Sequence, residues 1–272
     1  MKRFHCIRGL AIALCLSLVA LGEYAQGGAE MYTPTSGQEG KDVVWVPTPD
    51  TLVDLMLDMA NVMPSDYVID LGSGDGRIVI AAARRGATAL GIEYNPALVE
   101  FARRAAIENG VAARASFENA DIFESDFSKA TVITLFLLPE LNLKLRPKIL
   151  DMKPGTRIVS NDFDMEDWQP DQSERITAGV EEWSWYNTAH LWIVPAKVHG
   201  SWLHDKGQIS FVQNFQNITG AMTIGEKDVA LTGKLAGDRI SFTAGGTQYT
   251  GTVSGNTISG THDGGGSWKA TR

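Results

Sequence analysis

The sequence predicts an α/β fold, a doubly wound and mostly parallel sheet covered by helices, followed by a small all-β antiparallel barrel or sandwich. Between residue 43 and about residue 196, short unbroken apolar runs alternate with segments of helical period. This alternation is typical of parallel strands that are buried on both faces. Helical periodicity is then lost, and 14 of the 28 glycines lie in residues 200–272. A glycine-rich run of short strands indicates an antiparallel second domain.

Composition excludes several classes of protein. The chain has 272 residues, of which 44% are hydrophobic, enough for one domain and a smaller one. Its net charge of −8 disfavours a nucleic-acid partner, because such a partner needs its phosphates neutralised. Both cysteines, Cys6 and Cys15, precede residue 16, so a chain without that segment has no disulfide, thiolate metal site or cysteine nucleophile. The histidines show no metal-ligand spacing, and no metal site is predicted.

The N-terminus has the pattern of an export signal. A basic stretch precedes the uncharged apolar run Gly9–Leu21, which is shorter than the ~20 residues that a spanning helix needs. A small-x-small cleavage site ends at Gly22, so residues 1–22 are predicted to be a signal peptide. The protein is then exported, periplasmic or secreted, with no stable membrane insertion after signal removal. The alternatives are an uncleaved membrane anchor, or a cytoplasmic protein whose translation starts at Met31.

Caps and apolar runs place the elements of the first domain, predicted over residues 43–196 after a flexible leader at residues 23–42. Thr48-Pro49 has the pattern of an N-cap followed by proline at the first helical position, and Asn95-Pro96 repeats it. Predicted strands cover residues 67–70, 89–93, 115–117, 131–138 and 156–161, and further helices cover residues 77–85 and 141–150.

The last strands of the first domain and the whole second domain are predicted to be antiparallel. Trp183–Tyr186 and His190–Val194 are expected to pair and close the sheet. In the second domain, residues 197–272, glycine turns separate short β-rich runs, and a weak repeat of irregular spacing indicates a meander of hairpins. Gly-Ser-Trp occurs at residues 200–202 and again at 266–268, so the first and last strands are expected to meet. We recognise no family resemblance in this module.

A glycine turn carries the functional prediction. The stretch Asp70–Gly76 (DLGSGDG) ends a predicted strand and opens a predicted helix. Glycines there let the backbone turn tightly and let a ligand approach to contact distance. The GxGxG spacing differs from the GxGxxG of dinucleotide sites. Asp70 and Asp75 would repel a phosphate, but they can accept hydrogen bonds from a cationic amino-acid tail.

Two more carboxylates follow the next predicted strands. Glu93 lies 21 residues after Gly72, where a carboxylate can bind both hydroxyls of a ribose. Asp121 follows the third strand and is placed to accept a hydrogen bond from the exocyclic amine of adenine. Because the carboxyl ends of parallel strands meet at one edge of the sheet, these groups are expected to form one site.

The glycine turn, together with Glu93 and Asp121, resembles the class I S-adenosylmethionine-dependent methyltransferases, and the resemblance covers about Val43–Val194. A subgroup is indicated by Val46–Pro49, DLGSGDGRIVIAAA at 70–83, GIEYNP at 91–96 and LRPKIL at 145–150. These segments are similar to small seven-strand protein-lysine methyltransferases, which include the mitochondrial enzyme acting on the ATP synthase c subunit. The export signal and the β module are not part of that subgroup's pattern.

The resemblance implies a seven-strand, Rossmann-like sheet and methyl transfer from S-adenosylmethionine to a protein lysine or a similar amine. The methionine part of the cofactor would lie at the glycine turn, the ribose at Glu93 and the adenine at Asp121. The residues implied to bind the cofactor are Asp70, Gly72, Gly74, Gly76, Glu93 and Asp121. By the same analogy, residues 45–49 fold over the cofactor.

The acceptor side of the site is less defined by the sequence. Residues 137–140 read Leu-Leu-Pro-Glu where many amino-group methyltransferases carry an Asn/Asp-Pro-Pro-aromatic motif, so amide or nucleobase methylation is disfavoured. No catalytic residue is assigned. Glu140, Asp162 and Phe163 end strands near the predicted cofactor edge, and the aromatic candidates for an amine pocket are Trp183, Trp185 and Tyr186. Two other functions stay open: an exported non-catalytic binding protein that kept this fold, with a β interaction module, and an NAD-linked oxidoreductase. The GxGxG spacing and the absence of a Tyr-x-x-x-Lys relay disfavour the second. The acceptor and the oligomeric state do not follow from one sequence.

Overall fold

A sheet with helices on both faces forms from the first part of the chain. The computed structural model describes residue 1 and residues 32–176, 186–205 and 207–272. The helices are α1 (Asp50–Met59), α2 (Arg77–Arg84), α3 (Pro96–Glu108) and α4 (Pro139–Leu150). The strands of the sheet are β1 (Tyr67–Leu71), β2 (Thr88–Glu93), β3 (Ala115–Asn119), β4 (Val132–Leu135), β5 (Arg157–Asn161), β6 (Gln172–Arg175) and β7 (Thr188–Ile193). Among the described residues, no helix has the length and apolarity needed to cross a bilayer.

The strand order determines where a ligand can bind. The order is β3-β2-β1-β4-β5-β7-β6, in which β1 to β5 are parallel and β7 is antiparallel to both of its neighbours. This confirms the doubly wound, mostly parallel seven-strand sheet. The chain order reverses between β1 and β4, and ligands of such sheets bind in the crevice at the carboxyl ends of those strands.

The two faces of the sheet have separate cores because successive residues of a strand point to opposite sides. On β1, Val68 belongs to a buried cluster that also contains Met56 of α1 and Val79 of α2. Ile69 belongs to the cluster on the other face, with Leu145 of α4. The central strand β1 is therefore covered on both sides as it approaches the crevice.

The helix caps confirm one sequence prediction and correct another. The side chain of Asn95 accepts a hydrogen bond from the backbone N–H of Ala97 at 2.9 Å, with proline at the first helical position, as predicted. The predicted cap at Thr48 is wrong, because α1 begins one residue later, after Pro49, and has no side-chain cap. The hydroxyl of Thr48 instead accepts a hydrogen bond from the Asn161 amide at 3.2 Å.

The closing strand β7 is antiparallel, as predicted. Its neighbours are β5 and β6, Gln172–Arg175, whereas the predicted partner was Trp183–Tyr186. Residues 177–185 lie outside the described residues, and Tyr186 is described but is not in a strand. All four side chains of β6 are exposed, so this edge strand has no apolar pattern by which the sequence could reveal it.

Part of the predicted leader makes defined backbone contacts. Residues 2–31 lie outside the described residues. The N–H of Gly37 donates to the Trp45 carbonyl at 2.8 Å, and the N–H of Trp45 donates to the Gln38 carbonyl at 2.9 Å. Specific contacts therefore begin before the predicted domain start at residue 43.

The C-terminal region is a closed barrel of eight antiparallel strands, which decides between the two predicted shapes. The strands are β8 (Gly200–His204), β9 (Gly207–Asn214), β10 (Asn217–Ile224), β11 (Lys227–Ala236), β12 (Arg239–Ala244), β13 (Thr247–Ser254), β14 (Thr257–His262) and β15 (Ser267–Thr271). Each strand pairs with the next, and β15 pairs with β8, so the first and last strands do meet. Trp202, Phe211 and Phe242 fill the interior.

One end of the barrel packs on the amino edge of the sheet, and residues 32–272 form one compact unit. Gly237, in the turn between β11 and β12, accepts a hydrogen bond from the Ala196 N–H at 2.8 Å. In the turn between β9 and β10, the Phe215 ring stacks on Trp168 with the centroids 5.8 Å apart. A Cβ on Gly237 would also meet Gly155, which lies just before the start of β5. The barrel therefore sits at the edge opposite the ligand crevice.

A pair of glycine substitutions tests this junction. Gly237 has a φ of 62°, and a Cβ there would lie 2.9 Å from the Gly155 Cα. Gly255 has a φ of 56° in an equivalent turn, and a Cβ there would meet nothing within 4 Å. Both changes to alanine cost about 1 kcal/mol of left-handed backbone strain. Gly237→Ala is expected to lower the free energy of unfolding by roughly 1–3 kcal/mol more, because the junction must open. Urea titration would measure the free energy of unfolding of each variant. Equal losses in the two variants would contradict the close packing of Gly237 on Gly155.

Candidate functional site

A cavity of about 190 Å³ opens at the carboxyl ends of the parallel strands. Its floor comes from residues that end or follow the parallel strands, and its cover is the segment of residues 40–48, here called the strap. The cavity lies where the strand order reverses, which is the expected position for a ligand site in this class of sheet. It is smaller than the roughly 300–1,000 Å³ usual for ligand pockets, because the strap occupies one side.

The structure brings four of the six predicted site residues to this cavity, and those four are Asp70, Gly72, Glu93 and Asp121. Gly74 and Gly76 are not among the lining residues. Gly74 supports the site indirectly, because its N–H donates to Glu93 Oε2 at 3.0 Å. Gly76 precedes α2 with a φ of 83°, and a Cβ there would lie 2.7 Å from the Phe117 ring. It therefore serves helix packing, and its predicted role in cofactor binding stays a prediction.

Asp70 is buried at the end of β1, with 3% of its surface exposed. Burial raises the pKa of its carboxyl to about 7, and the negative charges of Glu93 and Asp75 contribute to the rise. The Thr134 hydroxyl, which donates to Asp70 Oδ1 at 2.7 Å, partly offsets this shift. A cationic group beside Asp70 would favour the ionised carboxylate, so this position selects for positive charge.

Glu93 is held by two backbone groups. Its Oε2 accepts from the Gly74 N–H at 3.0 Å, and its Oε1 accepts from the Asn95 N–H at 2.8 Å. The glycine turn after β1 and the cap of α3 therefore fix one carboxylate between them. Each oxygen keeps a further lone pair, so the carboxylate can still accept hydrogen bonds from two neighbouring hydroxyls in the cavity.

Asp121 is held from both sides. Its Oδ1 accepts from the Phe123 N–H at 2.9 Å, and its Oδ2 forms an ion pair with Lys41 of the strap. The Lys41 ammonium, which also lies 4.8 Å from the centroid of the Tyr94 ring, lowers the pKa of the Asp121 carboxyl. Sequence reasoning missed Lys41, because the two residues are 80 positions apart and lysine in a polar leader has no distinguishing pattern.

Two further contacts hold the strap over the cavity. A Cβ on Gly74 would overlap Nε1 of Trp45, so the indole is seated where only glycine leaves room. The Arg77 guanidinium donates to the Thr48 carbonyl at 2.8 Å and to Asp75 Oδ2 at 2.7 Å. The glycine spacing thus serves the strap as well as the strand-to-helix turn.

Three aromatic rings form a corner of the cavity. Phe136 follows β4, Phe163 follows β5, and Tyr186 precedes β7, with ring centroids 5.1 to 6.1 Å apart. Tyr186 was among the aromatic candidates and Phe163 was expected near the cofactor edge, whereas Phe136 lay in a predicted strand and was indistinguishable from a core residue. The other two candidates, Trp183 and Trp185, lie outside the described residues.

The arrangement suits one ligand with three different ends, beside a second, apolar-walled position. Asp70 can hold a cation, Glu93 can hold hydroxyls, and Asp121 can accept from an amine. The lining residues that the structure describes include no histidine or cysteine. Among the described residues, no cluster of His, Cys, Asp or Glu could hold a metal ion.

Comparison with known proteins identifies relatives of the sheet domain. The family profile of the ANTKMT methyltransferase domain matches residues 70–172. A protein-lysine N-methyltransferase of Saccharolobus islandicus is 41% identical over 155 residues, which are 56% of this chain and 94% of that protein. The Homo sapiens lysine N-methyltransferase named for the c subunit of ATP synthase is 39% identical over 105 residues, covering 38% of this chain and 45% of the human protein.

The sheet domain is also similar to a methyltransferase whose structure has been solved. The crystal structure of an RNA methyltransferase from Salinibacter ruber in complex with S-adenosyl-L-homocysteine is 48% identical, with a TM-score of 0.52. It covers 56% of this chain and 96% of the Salinibacter protein.

Replacing Asp70 by asparagine tests its burial. The folded pKa of about 7 lies above the ordinary value of 3.8, so the folded state binds the proton more tightly than the unfolded state. The wild type therefore loses stability as the pH rises from about 4 to 7, and Asp70→Asn lacks this loss. Between pH 5 and pH 8, the unfolding free energy of the variant is expected to gain roughly 2–3 kcal/mol on the wild type. Urea titrations at both pH values measure the difference, and a constant gap would contradict the shifted pKa.

Proposed function

We propose that this chain methylates the side-chain amine of a protein lysine. The premise is that it belongs to the family of S-adenosylmethionine-dependent methyltransferases that includes the Saccharolobus islandicus enzyme. The observation that carries the proposal is that Asp70, Glu93 and Asp121 line one cavity together with an aromatic corner. The family's cofactor accounts for the three carboxylates, and the corner suits an amine acceptor.

The donor groups of the cavity fit S-adenosylmethionine. Asp70 would hold its cationic amino-acid end, Glu93 its two ribose hydroxyls and Asp121 the amine of its adenine. When bound, the cofactor supplies a methyl group on a sulfonium, which is already a good leaving group. The protein therefore has to orient the acceptor and keep water out, and it needs no nucleophile of its own.

The aromatic corner gives the acceptor amine a suitable environment. The rings of Phe136, Phe163 and Tyr186 can hold an ammonium group by cation–π attraction as it enters. The same apolar walls disfavour the charged form and lower the pKa of the amine, so the proton leaves to solvent. Asp75, which also lines the cavity, is engaged by Arg77 and is not free to act as a base.

Transfer of a labelled methyl group tests the proposed acceptor. The full chain is incubated with methyl-labelled S-adenosylmethionine and a cell extract, and the labelled proteins are hydrolysed. Label is expected in methylated lysine. The matched control is the same extract with its lysines blocked beforehand by acetylation, which turns each amine into an amide and should leave no label in lysine.

The same assay examines the rival acceptor that the Salinibacter protein's description suggests. A net charge of −8 disfavours RNA binding, because each phosphate contact needs a cation. Treating the extract with ribonuclease should therefore leave the incorporated label in place. Label that disappears with ribonuclease and persists after lysine blocking would overturn the lysine assignment.

A substitution in the aromatic corner should affect the acceptor and not the cofactor. Phe163→Leu is expected to lower kcat/KM for the acceptor by at least about tenfold, since the wall that holds the ammonium is lost. Its affinity for S-adenosylmethionine should stay within about twofold of the wild-type value, because the cofactor groups lie elsewhere in the cavity. Phe101→Leu, on α3 outside the cavity lining, is the control and should change neither quantity. A tenfold loss of cofactor affinity in Phe163→Leu would contradict the assigned role.

The ion pair between Lys41 and Asp121 makes a prediction about cofactor entry. The Lys41 ammonium competes with an adenine amine for Oδ2 of Asp121, so Lys41→Met should bind S-adenosylmethionine more tightly and faster. Calorimetric titration measures the affinity for S-adenosylmethionine, and stopped-flow kinetics measures its association rate. Lys153→Met, at an exposed lysine that follows α4, is the control. Weaker binding by Lys41→Met would show that Lys41 itself contacts the cofactor.

Export is a further part of the proposed function. The basic stretch, the short apolar run and the small-x-small site in residues 1–22 support it. A fusion of residues 1–30 to alkaline phosphatase, which is active only outside the cytoplasm, should be active. Leu14→Arg, which places a charge in the apolar run, should abolish that activity. An inactive wild-type fusion would favour translation from Met31.

A further inference from the structure

A second cavity, of about 70 Å³, lies in the barrel. It is lined by the ends of β8, β10 and β14 and the start of β15, which form the end of the barrel away from the sheet. None of its lining residues lines the first cavity. Eight-stranded barrels have interiors just wide enough to be filled by side chains or to hold one small ligand. We call this cavity the barrel mouth.

Four rings form the walls of the barrel mouth. Tyr249 and Trp268 lie 5.8 Å apart at an interplanar angle of 90°. Tyr249 also meets His262 at 5.6 Å and 53°, and Trp268 meets His204 at 6.4 Å and 46°. At these interplanar angles, none of these three pairs stacks flat.

Several polar atoms of these walls already have protein partners. The Trp268 indole N–H donates to the Thr250 carbonyl at 2.9 Å. Nδ1 of His262 accepts from the Gly264 N–H at 3.2 Å, and Nε2 of His204 lies 3.0 Å from Asp205. A ligand that depends on many directional hydrogen bonds would therefore find few partners here.

Two carboxylates bring negative charge to the barrel mouth. Asp205 lines the cavity, and the charge of Asp263 reaches Tyr249, whose pKa is raised mainly by burial and then by that charge. The lining residues that the structure describes include no lysine or arginine. The aromatic walls and the carboxylate favour a cation over an anion or a neutral group.

Size narrows the choice of cation. A single water needs roughly 10–15 Å³ of such a cavity, so 70 Å³ suits a group of about five non-hydrogen atoms. A trimethylammonium group and the carbon that carries it have this size. Such a group donates no hydrogen bond and binds by cation–π attraction to surrounding rings.

We propose that the barrel mouth binds a methylated ammonium group, as carried by a trimethyllysine side chain or by a free choline-like molecule. The ammonium chemistry follows from the barrel alone, whereas trimethyllysine as its source rests on the proposed function. If the ammonium group comes from trimethyllysine, the barrel keeps the enzyme bound to a protein that has already been methylated.

Calorimetric titration of the full chain tests the barrel mouth with three probes. These are N-acetyl-trimethyllysine amide, choline, and 3,3-dimethylbutan-1-ol, which has the shape of choline but no charge. Both cations are expected to bind, and the neutral probe should bind at least about fivefold more weakly than choline. Tighter binding of the trimethyllysine probe assigns the source to a protein side chain, and tighter binding of choline assigns it to a free ligand.

Two variants locate the binding. Trp268→Leu removes a wall, and Asp205→Asn removes a charge from a side chain that is 66% exposed, so the second should fold even if the first does not. Each is expected to weaken choline binding about threefold or more, because each removes one source of attraction for the cation. Equal binding of choline and its neutral analogue, no binding at millimolar concentrations, or unchanged binding in folded Asp205→Asn would overturn the proposal. The titrations contain no S-adenosylmethionine, so their failure leaves the proposed methyl transfer untouched.

Discussion

The buried carboxylate of Asp70 is the constraint on which the rest of the site depends. A parallel sheet with helices on both faces buries the central part of β1, and Asp70 is the one carboxylate in that strand. Its burial carries an energetic cost, visible as a pKa raised to about 7 and only partly offset by Thr134. A protein without a cationic ligand would be more stable with an apolar residue there. The carboxylate therefore makes sense as one half of an ion pair whose other half is the cofactor.

The glycine turn extends this constraint to the neighbouring elements. Because Gly74 has no side chain, its N–H can approach Glu93 and the Trp45 indole can pack against its α-carbon. One position thus couples β1, β2 and the strap, although Gly74 is not among the residues that line the cavity. A glycine motif of this kind is more than a tight turn, since each glycine leaves room for a different neighbour. At Gly76 that neighbour is Phe117, which belongs to the core and not to the ligand site.

The sequence predicted features whose causes are local and missed those whose causes are distant. The strand–turn–helix unit at Asp70 and the cap at Asn95 depend on residues within a few positions, and both were found. The ion pair of Lys41 with Asp121 and the contact of Thr48 with Asn161 join distant parts of the chain, and no local pattern announces them. The prediction of the barrel depends on both kinds of cause. Its turns are local and identify the strands, whereas the pairing of β15 with β8, which closes the barrel, joins distant parts of the chain.

The position of the barrel constrains how it can serve the enzyme. It packs on the amino edge of the sheet through Gly237 and Phe215, while the cofactor cavity lies at the carboxyl edge. The barrel therefore cannot form a wall of the acceptor site, and its own mouth opens away from the sheet. A second binding site held at a fixed place raises the local concentration only of partners long enough to reach both sites. An extended or repetitive acceptor satisfies this condition, whereas a small folded protein with one exposed lysine does not. With the barrel mouth occupied as we propose, the geometry favours successive methylation of a large acceptor over single encounters with a compact one.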